Sequence, residues 1–256
     1  MWFNWLNKNL IQFLPKRILI DGVHFYFNRL DRAVALLCWK YGIIEKQELR
    51  TVLSYIHEDT TFLDIGANMG IYSFRASKKI TTGKIISFEP DKNHFECLLK
   101  TRDKNKIGNV ILHPLAVTNE NGTISFHNQS MNGGDFRINY TQTGDVVDTV
   151  KLDDFLGTGY KVDVVKMDIQ GAEYLALQGM QNIILDNPDL LIFCEYWPKG
   201  MRLLNIQPHT FISFIEKMKL NLYLIGPALT PVSLNGFERL YNEGYTNILL
   251  TRKLLQ

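Results

Sequence analysis

Nine residues, FLDIGANMG from Phe62 to Gly70, constrain the fold more than any other stretch of the chain. A short apolar run ends in an acid and a glycine turn, and a helical pattern over Met69–Ile80 begins at once. This predicts a buried strand that feeds a helix through a tight turn. The layout recurs downstream. GKIISFEP reads as a second strand stopped by Pro90, and Asp91 can cap a helix over His94–Lys104. NVILHPLAV reads as a third strand, and VDVVKMDIQG as a fourth that turns into a helix over Ala172–Leu185. DLLIFCEYW is the fifth, followed by a helix over His209–Leu220 and by the strands NLYLIG and NILLTRKL. Strands separated by helices predict a parallel sheet with crossover connections, an α/β fold. NGTISFH and DVVDTVKLDDFL read as a β excursion. The last two strands lack a convincing helix between them, so they are expected as an antiparallel hairpin at one sheet edge.

A length of 256 residues fits one α/β domain with an appendage, or two small domains; the division drawn here is an extension over 1–44 and a main domain over 45–256. The net charge of +2 gives no field of one sign that would suit nucleic acid. No Asn/Asp-Pro-Pro-aromatic stretch follows the fourth strand to receive a flipped base. Cys38, Cys97 and Cys194 are odd in number and far apart, which speaks against disulfides and against a cysteine metal site. No apolar run reaches spanning length, and no signal-peptide layout is expected at the N-terminus, so the cytoplasm is the expected compartment. In residues 1–17, Phe3, Leu6, Leu10 and Phe13 recur at helical spacing beside Trp2 and Trp5. Two readings compete: a helix packed on its own domain or a dimer partner, and an interfacial helix at a membrane surface with Lys16 and Arg17 near anionic lipid.

The glycine turn narrows the ligand. A dinucleotide fold wants GxGxxG, whose second glycine lets the backbone approach a pyrophosphate. Asn68 stands there instead, and Asp64 on the strand end would repel phosphate. A nicotinamide oxidoreductase is therefore disfavoured. An acid at this place suits a cation, and S-adenosylmethionine offers a sulfonium, an amino group and a carboxylate without phosphate. On that view Asp64 pairs with the amino group, Gly66 allows close passage of the chain, and amides of the Asn68–Gly70 turn at the helix start take the carboxylate. Glu89 ends the second strand, where it can accept both ribose hydroxyls. The competing role for either acid is to cap the next helix.

These pieces carry a resemblance. FLDIGANMGIYS, GKIISFEPD, NVILHPLAV and VVKMDIQGAEYLALQGM, spread over about residues 45–200, resemble the FkbM-like methyltransferases of the class I S-adenosylmethionine-dependent fold. The resemblance implies a Rossmann-like, seven-stranded, mostly parallel sheet with an antiparallel last strand, plus an N-terminal helical extension. It implies methyl transfer to a hydroxyl of a sugar, glycan or secondary metabolite. N-methylation of a small molecule or peptide, and a cofactor-binding module without turnover, are the alternatives. Relatives commonly read Asp-(Val/Ile)-Glu-Gly-Ala-Glu where this chain has Asp168-Ile169-Gln170-Gly171-Ala172-Glu173, so a charge is missing at Gln170.

An alcohol is a poor nucleophile at neutral pH, so a base is expected near the transferred methyl. Asp168, at the end of the fourth strand and lining the cofactor crevice, is the first candidate, and Glu195 on the fifth is the second. The two could share a divalent cation through oxygen ligands, although no metal-ligand spacing indicates one. Glu173 opens a helix and is either a first-turn acid or a substrate contact. Tyr196 and Trp197 are read as a sugar-stacking wall or as core. His113 is expected to be structural rather than a base, and Asp135 to lie on a surface loop or lid.

Overall fold

The computed structural model describes residues 16–28, 46–128, 136–138, 145–235, 237 and 244–255. Eight strands form one sheet: β3 (Thr61–Ile65), β4 (Lys84–Phe88), β5 (Val110–His113), β10 (Val164–Met167), β11 (Leu191–Tyr196), β12 (Asn221–Ile225), β13 (Leu229–Val232) and β14 (Thr246–Thr251). Their spatial order is β13-β12-β14-β11-β10-β3-β4-β5. β10 and β11 are buried along their whole length, as strands covered on both faces should be. β5, β4, β3, β10 and β11 pair in parallel, and β14 runs antiparallel to both of its neighbours. This is the expected mostly parallel sheet with an antiparallel last strand. The edge differs in detail. β14 inserts between β11 and β12, and β13 adds an eighth strand outside β12.

Alternate residues feed two cores. Leu63, Ile65, Val165, Met167 and Ile192 face one side with Leu177, Ile184 and Phe211 from the helices α5 (Glu173–Gln178), α6 (Gln181–Asp186) and α8 (Pro208–Lys217). Phe62, Val164 and Phe193 face the other side with Val52 of α1 (Lys46–Ser54) and Phe74 of α2 (Ile71–Ala76). The helix expected over Ala172–Leu185 is thus two helices, and that over Met69–Ile80 shortens to α2. NVILHPLAV breaks at Pro114: β5 stays in the main sheet, while β6 (Ala116–Thr118) joins a second sheet. That sheet has the order β6-β9-β7-β8, with β7 (Gly122–Asn128), β8 (Phe136–Ile138) and β9 (Asp145–Lys151), and it is the expected β excursion.

Within the extension drawn over 1–44, Trp2, Phe3, Trp5, Leu6, Leu10 and Phe13 of the expected helix lie outside the described residues. The described part is a hairpin, β1 (Arg17–Ile20) with β2 (Val23–Tyr26). It docks on α3 (Lys92–Asn105): the His24 amide donates to Asn105 and the Tyr26 amide to Thr101, both at 2.9 Å. Phe25 is fully buried against Phe74. These residues share the core of the domain drawn over 45–256. Among the described residues no helix is long and apolar enough to cross a membrane.

Candidate active site

Strand register assembles the site. Phe88, Ile65, Met167 and Cys194 lie side by side across β4, β3, β10 and β11. The next residue of each strand therefore emerges at the carboxyl edge in one row: Glu89, Gly66, Asp168 and Glu195. Four residues selected from separate stretches of sequence fall in one row because these parallel strands are in register, with Glu195 one residue short of the end of β11.

Gly66 needs its missing side chain. Its φ is +78°, and a Cβ would stand 2.8 Å from the Ile169 side chain and closer still to the Asp168 carbonyl. The expected close passage is thus first of all a passage of one chain segment by another. The amides of Gly66 and Ala67 both donate to the Phe88 carbonyl, which ties the turn to β4.

Glu89 is 5% exposed. Its Oε2 accepts the Asn68 amide at 2.8 Å and its Oε1 the Asp91 amide at 2.9 Å. Burial raises its pKa, opposed by the charge of nearby His94 and by these two amides. Each carboxylate oxygen keeps a further lone pair for a ligand hydroxyl. Asn68 has a φ of +48°, and its buried Oδ1 has no hydrogen-bond partner among the described residues. An orphaned acceptor in the turn fits a ligand amino group. Asp91 caps α3 as expected, accepting the His94 amide. Beside this segment a cavity of about 350 Å³ is lined by Pro90, Asp91, Lys92, Pro114 and Asp145–Asp148.

Asp64 departs from the expectation of a ligand contact. It is 2% exposed, and its Oδ2 accepts both the amide and the hydroxyl of Ser73 in α2. The Ser73 hydroxyl also pairs with that of Ser87 at 2.7 Å. Burial pushes the Asp64 pKa up to about 6, against the hydrogen bonds from Ser73 and the charge of Lys166. Asp64 Oδ2 is thus held by the first turn of α2, the direction the competing reading gives it. The amides of Asn68, Gly70 and Ser73 are also engaged within the chain, which removes them as carboxylate donors.

The turn after β10 holds Asp168. Its side chain is 32% exposed. Oδ1 accepts the Gln170 side-chain amide at 2.7 Å, and Oδ2 lies 3.9 Å from Lys166 Nζ. Lys166 is fully buried, pairs with Glu48 of α1 at 3.2 Å and lies over the Tyr72 ring. Glu173 is 1% exposed, and its two oxygens accept the amides of Ile169 and Gly171. Burial pushes its pKa up to about 7. It closes its own turn, which corrects the substrate-contact expectation. Oxygens of Asp168, Glu173 and Glu195 nevertheless lie within 4.8 Å of one another. Tyr196 is fully buried between Phe211 and Phe237, so it is core and not a stacking wall. Trp197 is half-buried, with its ring packed on Gly200. His113 stacks on Phe88 at 5.4 Å and meets the edge of Phe155, and partial burial lowers its pKa. Asp135 lies outside the described residues. Cys97 and Cys194 are buried, and neither is in a disulfide.

Sequence reasoning missed Lys166, Glu48, Ser73 and Ser87. A lone cation inside the apolar run VDVVKMD was the available signal for Lys166. Glu48 had none, since it lies 118 positions from its partner (166 minus 48).

The methyltransferase FkbM domain family matches residues 64–218. Hexuronic acid methyltransferase AglP of Haloferax volcanii is 28% identical over 142 residues, which cover 55% of this chain and 58% of that protein's length. Among solved structures, M. jannaschii TYW2 in complex with AdoMet aligns over 93% of this chain and 85% of its own, at 14% identity and a TM-score of 0.48. Precorrin-6y C5,15-methyltransferase from Geobacter metallireducens aligns over 84% and 91%, at 15% identity and a TM-score of 0.43.

Proposed function

The chain belongs to the FkbM methyltransferase-domain family, and from that premise we propose that it is an S-adenosylmethionine-dependent O-methyltransferase acting on a sugar or glycan hydroxyl. The observation that carries this is the row of Glu89, Gly66, Asp168 and Glu195 at the carboxyl ends of four parallel strands. Ligands of open α/β sheets bind in that crevice. Bound S-adenosylmethionine supplies a methyl group already activated by the sulfonium. Glu89 accepts the ribose hydroxyls, and Asn68 Oδ1 accepts the amino group. Asp168, the most open of the acids whose oxygens converge there, takes the proton from the acceptor hydroxyl. Glu195 stands beside it as the second acid. The sugar acceptor is suggested by the hexuronic acid methyltransferase relative, of which the match spans little more than half. The converging acids Asp168 and Glu195 favour a neutral hydroxyl over an anionic carboxylate as acceptor.

The test is label transfer from methyl-labelled S-adenosylmethionine to methyl glycosides of a hexose and of a hexuronic acid. A methyl ether withstands mild alkali and a methyl ester does not. Alkali-stable label that disappears in Asp168→Asn is the expected result. Alkali-labile label would move the reaction to the carboxylate, and label retained in Asp168→Asn would remove that residue as the base.

A further inference from the structure

We propose that Gln170 is a positioning residue: its side-chain amide fixes one oxygen of the Asp168 carboxylate and so holds that group in one orientation at the crevice. The proposal rests on the reading of Asp168 given above.

The turn that follows β10 does not need this side chain for its own closure. Glu173 already accepts the amides on both sides of residue 170, from Ile169 and from Gly171. Gly171, at φ +99°, is packed so closely on Gly200 that a Cβ would stand 2.8 Å from the Gly200 Cα. The turn is therefore clamped from within and from outside. Gln170 itself has a φ of +58°, a left-handed conformation that glycine adopts without penalty and glutamine does not. That backbone directs the side chain back along the turn, where Nε2 donates to Asp168 Oδ1 at 2.7 Å. The partner fixes the sense of the amide, because an ionised carboxylate only accepts.

The surroundings give the bond its purpose. Asp168 shares its space with Glu173 and Glu195, two acids whose oxygens approach within 4.8 Å. Below it, Lys166 lies 3.9 Å from Oδ2, but its shorter contact is to Glu48 at 3.2 Å, and Asp64 also feels its charge. A carboxylate crowded by two acids and only loosely held by a shared cation would swing away from them. The neutral amide fixes Oδ1 without adding charge, and a hydrogen bond to an ionised group is among the stronger ones.

The test needs no acceptor. Calorimetry gives the Kd of S-adenosylmethionine, which carries the sulfonium charge, and of S-adenosylhomocysteine, which does not. A carboxylate held toward the crevice favours the charged form, so the ratio of the two constants reports its placement. The variants are Asp168→Asn, Gln170→Met, which keeps length without a donor, and Gln170→Gly, which suits the backbone. Asp168→Asn is expected to shift the ratio against S-adenosylmethionine roughly tenfold, and both Gln170 variants about threefold or more, with the S-adenosylhomocysteine Kd held. The Tm of Gln170→Gly should match or exceed that of the wild type. A wild-type ratio in both Gln170 variants, with the ratio shifted in Asp168→Asn, would overturn the positioning role and leave Asp168 in place. An unshifted ratio in Asp168→Asn would overturn the reading of Asp168 and this proposal with it.

Discussion

At Asp64 a legible residue had an illegible direction. An acid that ends a strand ahead of a glycine turn can face a ligand or the next helix, and the spacing is the same for both. The structure chooses Ser73, nine positions on, and closes the pair off from water. The choice has a pH signature. Burial raises the Asp64 pKa from 3.8 to about 6 in the fold, so the protonated form is the better folded one. Its contribution to stability is fully present below pH 3.8 and is lost as the pH rises through about 6. Asp64→Asn removes the titration and keeps an oxygen for Ser73. Urea unfolding at pH 4 and pH 7 should show the wild type losing stability relative to this variant across that interval, by up to roughly 3 kcal/mol. A constant difference at the two pH values would mean that Asp64 titrates alike in the folded and unfolded chain. Glu173 has the same sign over a higher window, from 4.5 to about 7.

Between one element and the next, the turns after β3 and β10 decide how closely the site's strands approach. The glycines of DxGxNxG and DIQGAE were visible in sequence, and both positions need them. Their neighbours were not visible, because they lie far along the chain: Gly66 meets Asp168 and Ile169, and Gly171 meets Gly200. The helices were legible as periodic segments, but the break between α5 and α6 was not, since the apolar spacing continues through it. Gly66→Ala and Gly171→Ala should each cost about 3 kcal/mol in urea unfolding, the sum of left-handed strain and overpacking. A loss well under 1 kcal/mol in either would show that the turn can relax away from its neighbour.

For the molecule as a whole, the order of alternating strands and helices anticipated the parallel sheet, the missing helix before the last strand anticipated an antiparallel edge pair, and the family resemblance implied the antiparallel last strand. The eighth strand and the docking of the β1–β2 hairpin were not anticipated. β13 contains Pro231 and is short, so it gives little strand signal. The hairpin's partner, α3, lies about 75 residues on. Phe25 falls before residue 45 yet is buried with Phe74, Ile85 and Val110. Phe25→Ala should therefore destabilise the whole domain by roughly 3–5 kcal/mol in a single transition. A separate early transition, with the main one unmoved, would mean that the first 44 residues fold apart.

The central claim is that the row at the carboxyl ends of β3, β4, β10 and β11 receives S-adenosylmethionine. Calorimetric titration of the full chain with S-adenosylmethionine and S-adenosylhomocysteine, with NAD as the comparison, tests it directly. Saturable binding of the first two, absence of NAD binding, and loss of binding in a folded Glu89→Ala variant are the predicted results. Binding of NAD, or undiminished S-adenosylmethionine affinity in Glu89→Ala, would contradict the account.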